Sequence, residues 1–270
     1  VKRSVGGYEV VALLDGTGQF FDTRDVAFTG ATGDDWSAAR RLDPAAFGAG
    51  LEWVLAFRCF LVRGPGDDLT LVDAGIGPTG SAASSWAPVP GLLLDELTAV
   101  GVERASIGAV VLTHLHSDHS GWCVDGGGEP VFPNARYVVQ RDEVAGLADA
   151  DVAMHRVVGP LRDAGLLDQV DGEVRLAPRG SRTVGGITLL PTPGHTPGHQ
   201  SVVVDGGEQI VLTGDAVVHA VQIVNPSVGY RYESDPELAR QSRAALLDRA
   251  GIDRALLATA HLTTPFLRLW

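Results

Sequence analysis

The chain has 270 residues, 45% of them hydrophobic, and a formal net charge of −12. That is apolar material for a sizeable core. The acidic balance excludes nucleic-acid and anionic membrane partners, which need clustered Lys and Arg.

No apolar stretch is long enough to span a bilayer. Basic residues at 2–3 are followed by no apolar run, so no secretory leader is expected and the chain reads as cytoplasmic. Cys59 and Cys123 make no disulfide framework and read as small buried hydrophobes. Cys123 lies close enough behind the main motif to approach the site.

In chain order, residues 8–15 form a first strand ended by Asp15-Gly16. Residues 16–50 show no clean period and read as a long irregular stretch. Its aromatics either line a functional loop or plug one side of the core. Strands at 51–62 and 69–73 form a hairpin across Gly64-Pro65-Gly66-Asp67-Asp68. Asp73 at its end is a turn-forming carboxylate or a support for a metal ligand. Residues 91–101 read as an amphipathic helix ending at Gly101.

The apolar run Ile107–Leu112 then delivers Thr113-His114-Leu115-His116-Ser117-Asp118-His119. His114 and His116 share one side of an extended segment, because strand side chains repeat every two residues. The following turn can swing Asp118 and His119 toward the same point. Three imidazoles and a carboxylate so placed suit a pair of divalent metals.

Beyond the motif, 135–139 is a short strand, and 141–170 is helical in part, with Met154 and His155 inside it. His155 has no ligand-type neighbours and is not expected to bind metal. The stretch 181–191 contains a strand, Ile187–Leu190. It runs into Thr192-Pro193-Gly194-His195-Thr196-Pro197-Gly198-His199, where Gly and Pro fix a tight turn that lets backbone approach a bound ion. A hairpin across Gly206-Gly207 ends at Gly214-Asp215. A helix over 236–250 opens at Asp235-Pro236, and a last strand over 255–259 ends at His261. Two strand pairs each end in Asp and then His, which hints at two similar halves.

The candidate ligands His114, His116, Asp118, His119, His195, Asp215 and His261 all sit at or just beyond strand ends, where α/β architectures keep their chemistry. His-x-His-x-Asp-His at 114–119, Gly194-His195, Gly214-Asp215 and His261, in this order, resemble the metallo-β-lactamase superfamily over nearly the whole chain. The resemblance implies a four-layer αββα sandwich of two facing mixed β-sheets, α/β (α+β) in class, as one domain over 1–270. It implies two Zn²⁺ per chain, one held by His114, His116 and His195, the other by Asp118, His119 and His261, with Asp215 bridging. His116 stands where flavodiiron relatives carry Glu, which favours zinc hydrolysis over di-iron redox work.

The blocks around 193–199 and 214–226 look most like the lactonase and organophosphate-hydrolase branch. Val217, Val218 and His219 occupy the stretch where acyl-homoserine lactonases tend to carry a substrate-contacting Tyr. The expected activity is hydrolysis of an ester or lactone in a small, mostly apolar molecule by metal-bound hydroxide. Metal lowers the pKa of water from 15.7 to about 7. Alternatives are a thioesterase, a phosphotriester hydrolase, a di-iron redox protein or a metal-binding protein without turnover.

Asp118, Asp215 or His219 would move the proton to the leaving group, with Tyr230 and Tyr232 as other donors. His199 is expected to support the site without ligating. Phe20, Phe21, Trp36, Trp86, Met154 and Tyr230 are candidate pocket walls. The partner is a small molecule, and a homodimer is open.

Overall fold

The computed structural model describes residues 1–66, 68–176 and 186–269. Asp67 of the expected hairpin turn and residues 181–185 of the 181–191 stretch lie outside these. In chain order the strands are β1 (Lys2–Val5), β2 (Tyr8–Gln19), β3 (Phe28–Thr29), β4 (Val54–Arg63), β5 (Leu69–Val72), β6 (Ala109–Val111), β7 (Arg136–Gln140) and β8 (Leu167–Val170). The second half adds β9 (Val174–Leu176), β10 (Ile187–Pro191), β11 (Gln200–Asp205), β12 (Gln209–Leu212), β13 (Gly229–Tyr230), β14 (Leu256–Ala258) and β15 (Phe266–Leu267).

One sheet runs β1-β2-β4-β5-β6-β7-β8, the other β15-β14-β12-β11-β10-β9, and β3 pairs with β13 in a two-stranded ribbon. Both large sheets are mixed. β5, β6, β7 and β8 run parallel to one another, as do β12 and β14, while the hairpins are antiparallel. Alternation along each strand sorts side chains between faces. Val72 and Val111 join Ile210 and Leu212 between the sheets. Leu71 and Val110 pack outward with Leu93 and Leu97 of the helix Leu93–Ala99. Val211 and Leu257 pack outward with Leu246 and Leu247 of the helix Pro236–Ile252. The result is the four-layer αββα sandwich.

The long helix starts as its sequence dictates. Asp235 accepts from Leu238 N at 3.0 Å, and Pro236 occupies the first turn, where a missing N–H costs nothing. Residues 16–50 are more ordered than their composition suggests. β2 continues through Gln19 past an irregularity at Leu14/Gly16. The helix Gly33–Leu42 follows a reciprocal cap: Asp35 N donates to Thr32 Oγ1 at 3.2 Å, and Thr32 N to Asp35 Oδ2 at 2.8 Å. β1, β8 and β9 are strands that the sequence pattern did not single out. Among the described residues no helix is long and apolar enough to cross a membrane.

Parallel pairing sets the site. β5 and β6 end side by side, with Val72 beside Val111, and lead to Asp73 and His114. β12 and β14 end side by side, with Leu212 beside Ala258, and lead to Asp215 and His261. The suspected likeness of the two halves is this repeated Asp-then-His pair of strand ends.

Candidate metal centre

The structure brings all seven candidate ligands together in two groups. His114, His116, His195 and Asp215 form one; Asp118, His119 and His261 form the other, with ligand atoms within 4.8 Å of one another in each. In the first, His116 Nδ1 lies 2.9 Å from His114 Nε2 and 3.0 Å from His195 Nε2. In the second, His119 Nε2 and His261 Nε2 are 3.2 Å apart, and Asp118 Oδ2 is 3.4 Å from each.

Asp215 faces both groups. Its Oδ2 lies 3.3 Å from His195 Nε2 and 3.8 Å from His114 Nε2. Its Oδ1 lies 3.2 Å from His119 Nε2 and 3.1 Å from His261 Nε2.

These residues fit a pair of cations. Ring nitrogens converging with lone pairs inward repel unless a cation lies between them. A tetrahedral zinc with bonds of about 2.0–2.1 Å holds its nitrogens roughly 3.3 Å apart. Buried Asp215 Oδ1 also has no hydrogen-bond partner among the described residues, a state that is costly without a cation.

The outward nitrogens are fixed by the surrounding fold. His119 Nδ1 donates to Asp73 Oδ2 at 2.9 Å, and His261 Nδ1 to Ala56 O at 2.9 Å. His114 Nδ1 lies 3.0 Å from Thr113 Oγ1, whose hydroxyl donates to Asp73 Oδ2 at 3.0 Å. This network assigns the tautomers and turns Nε2 of all three rings inward.

Asp73 therefore takes the supporting role suggested for it. His199 supports the site as expected: Asp215 N donates to His199 Nε2 at 2.9 Å, while its Nδ1 donates to Thr192 O at 3.1 Å. Burial holds His199 neutral, its pKa pushed down to about 4.

Two buried groups that steady the ligand loops, and a third that joins other loops, carry little sequence signal. Glu143 accepts from Leu115 N at 2.9 Å, from Thr196 Oγ1 at 2.6 Å and from Gly198 N at 3.0 Å, joining the loops of His114, His116 and His195. Arg58 donates to the carbonyls of Thr259, Leu262 and Thr263 around His261. Asp15 accepts from Ile76 N at 2.5 Å and Leu93 N at 2.7 Å, so it ties loops together and does not end a strand.

Gly198 approaches Glu143, not an ion site: a Cβ there would meet Glu143 N at 2.0 Å. Gly194, at φ 125°, presses on the backbone of Ala239 in the long helix.

Charge divides the two groups. Burial and neighbouring imidazoles push His114 well below its ordinary pKa, and burial pushes His195 down despite Asp215. Burial also opposes charge on His119, but Asp215, Asp118 and Asp73 outweigh it and raise the pKa. Asp215 is held well below the carboxylate range, because His261, His119 and His195 outweigh its burial.

A cavity of about 280 Å³ opens over both groups, walled by Phe20, Phe21, Trp86, Tyr230 and Tyr232. Tyr230 stacks on His195 with ring centroids 6.0 Å apart. Tyr232 donates to Asp22 Oδ2 at 2.5 Å. Burial and Asp22 push its pKa up to about 12.

Other candidates lie elsewhere. His219 neither lines this cavity nor faces the ligands. It is 1% exposed among Phe28, Trp36, Phe47 and Trp53, and its Nδ1 caps a short helix by accepting from Val221 N at 3.0 Å. Burial pushes its pKa down to about 3, so it is no proton donor at neutral pH. Trp36 belongs to this aromatic box and Met154 to a core cluster. Cys123 is buried in that same cluster and is not among the grouped ligands. His155 is exposed on a neighbouring groove.

The family model of the metallo-beta-lactamase superfamily matches residues 58–261. The chain belongs to this superfamily. Among curated relatives, the N-acyl homoserine lactonase AiiA of Bacillus thuringiensis subsp. kurstaki is 27% identical over 173 residues, 63% of this chain and 61% of the relative. The match thus spans about three fifths of that relative's length.

Among solved structures, the hydrolase AbOPH of the beta lactamase superfamily is similar at TM-score 0.79 and 26% identity, covering 99% of this chain and 91% of that one. AidC, a dizinc quorum-quenching lactonase, shares the superfamily fold at TM-score 0.74 and 22% identity, with 98% and 91% covered.

Proposed function

We propose that the chain is a dinuclear zinc hydrolase that cleaves an ester or lactone bond in a small, mostly apolar molecule. The observation that carries this is Asp215, whose two oxygens face two separate imidazole groups. His114, His116 and His195 would hold one ion, Asp118, His119 and His261 the other, and Asp215 both. Two bound zinc ions supply Lewis acidity and a nucleophile at neutral pH.

The chain's residues do the rest. Thr113, Asp73 and Ala56 hold the ligand rings in one tautomer. The aromatic walls lower the local dielectric beside the cavity floor, which strengthens electrostatic interactions there. Asp118 borders that cavity and is the group suited to pass a proton to the departing alcohol.

The lactonase and hydrolase names of the relatives support this class. A phosphotriester is a second reading, because no Lys or Arg lines the cavity among the described residues, and an uncharged triester fits its aromatic walls as an ester does.

Metal analysis and chelation test the proposal. The expected result is two zinc per chain, loss of esterase activity with a chelator and recovery with Zn²⁺. Two iron per chain, or activity indifferent to both treatments, overturns it.

A further inference from the structure

We infer that the substrate has two unlike arms, a flat apolar group held in the aromatic cavity and a hydrogen-bonding arm lying in a groove on the far side of His116 and Ser117. This rests on the hydrolase reading and names the substrate class for that site.

The aromatic cavity, at about 280 Å³, falls just under the roughly 300–1,000 Å³ typical of small-molecule pockets. It holds part of a substrate more readily than a whole one. A second cavity of about 870 Å³ adjoins it. His116 and Ser117 line both, so the two spaces share a border at the ligand loop.

Their walls differ in chemistry. Phe20, Trp86 and Tyr230 give the smaller one ring faces and edges, which favour a flat apolar group. The larger combines apolar Leu147 and Val152 with Asp151, Arg156 and Ser234, whose side chains can donate to or accept from a substrate arm. Arg156 Nη1 donates to Gly80 O at 3.0 Å, tying the two walls of the groove together.

A bond cleaved at the junction has one product fragment on each side. Water adds its oxygen to the acyl carbon, the acyl–oxygen bond breaks, and the proton from water leaves with the alcohol. The substrate is thus an aryl or similarly flat ester with a polar second arm, and a simple aryl acetate uses only half the site.

Two ratios test this in the zinc-loaded enzyme. The first is kcat/KM for phenyl esters with an uncharged, amide-bearing acyl arm against phenyl acetate. The second is kcat/KM for benzyl against methyl esters of one acid, whose alcohols are leaving groups of closely matched basicity. Both should exceed about tenfold in the wild type, in the range that a filled subsite supplies.

Val152→Trp, a bulky side chain on the groove wall, should collapse the first ratio and spare the second. Trp86→Leu should collapse the second and spare the first. Phe21→Ala, at a position 60% exposed, gives a second variant with little folding cost. Variants that move both ratios together, or neither, overturn the inference. If no ester is cleaved, the hydrolase reading fails on its own. Calorimetric Kd values for the matching non-hydrolysable phenyl ethers, with and without the polar arm, then read the same ratios, and equal values sink the two-armed reading.

Discussion

His119 passes its Nδ1 hydrogen directly to Asp73, whereas His114 reaches the same carboxylate only through the Thr113 hydroxyl. Asp73, Asp118 and Asp215 surround His119, and its pKa is raised. In the other group Asp215 is the carboxylate in contact among the described residues, its His114 and His195 are held neutral, and its His116 is exposed. The group with three imidazoles therefore has fewer carboxylates behind it than the group with two. The group nearest three carboxylates is expected to hold a cation more firmly, and the group at the exposed His116 to exchange it more readily.

The contrast can be broken most forcefully at the residue the two groups share. Asp215→Ala should leave both ions poorly held and lower kcat/KM by at least about 10³-fold, in keeping with several kcal/mol of lost electrostatic stabilisation. Zinc content and steady-state kinetics on one preparation would check it.

Asp73→Asn should cost about 10–100-fold in zinc affinity, chiefly in the group of His119, because the charge behind that ring is lost. Thr113→Val should have a smaller effect, of about tenfold or less, confined to the group of His114. Stepwise zinc titration separates the two. If Thr113→Val weakens both steps equally, the division of support is wrong.

The smallest effect concerns a histidine outside both groups. Buried His219 titrates near 3 when folded, against 6.5 for the unfolded side chain. Between those values the unfolded state binds more protons, so stability rises with pH. It falls by up to ~1.4 kcal/mol per unit as pH drops from about 6.5 towards 3. His219→Asn, which retains a capping acceptor, should flatten that slope in denaturant titrations at pH 4–6.

Which residues would gather was legible because each sits where an apolar strand stops. That signal is local, and the parallel pairs β5/β6 and β12/β14 carry it into space. The sandwich was legible through the same strands and the resemblance at 114–119.

What escaped depends on contacts distant in sequence. Glu143 sits in an ordinary helical stretch, and only the fold sets it against Leu115 and Gly198. Arg58 sits within the expected 51–62 strand, and only the fold sets it against the loop of His261. His219 lay close behind Asp215 in sequence, yet the turn aims it at Phe28 and Trp53. The helix Gly33–Leu42 was hidden by a Gly- and Asp-rich start, where Asp35 fills a capping position more often held by Glu or Gln.

Asp73 holds its backbone at φ 62°, a region that β-carbon-bearing residues rarely occupy. A glycine would relax that twist, by on the order of 1 kcal/mol, and would leave the His119 ring free to turn. The position is thus a compromise in which the chain tolerates local discomfort to keep one imidazole aimed. Selection for heat resistance would not erase it: the relieved backbone is outweighed by three stranded donors, the Thr113 N–H, the Thr113 hydroxyl and the His119 Nδ1–H, at about 1–3 kcal/mol each.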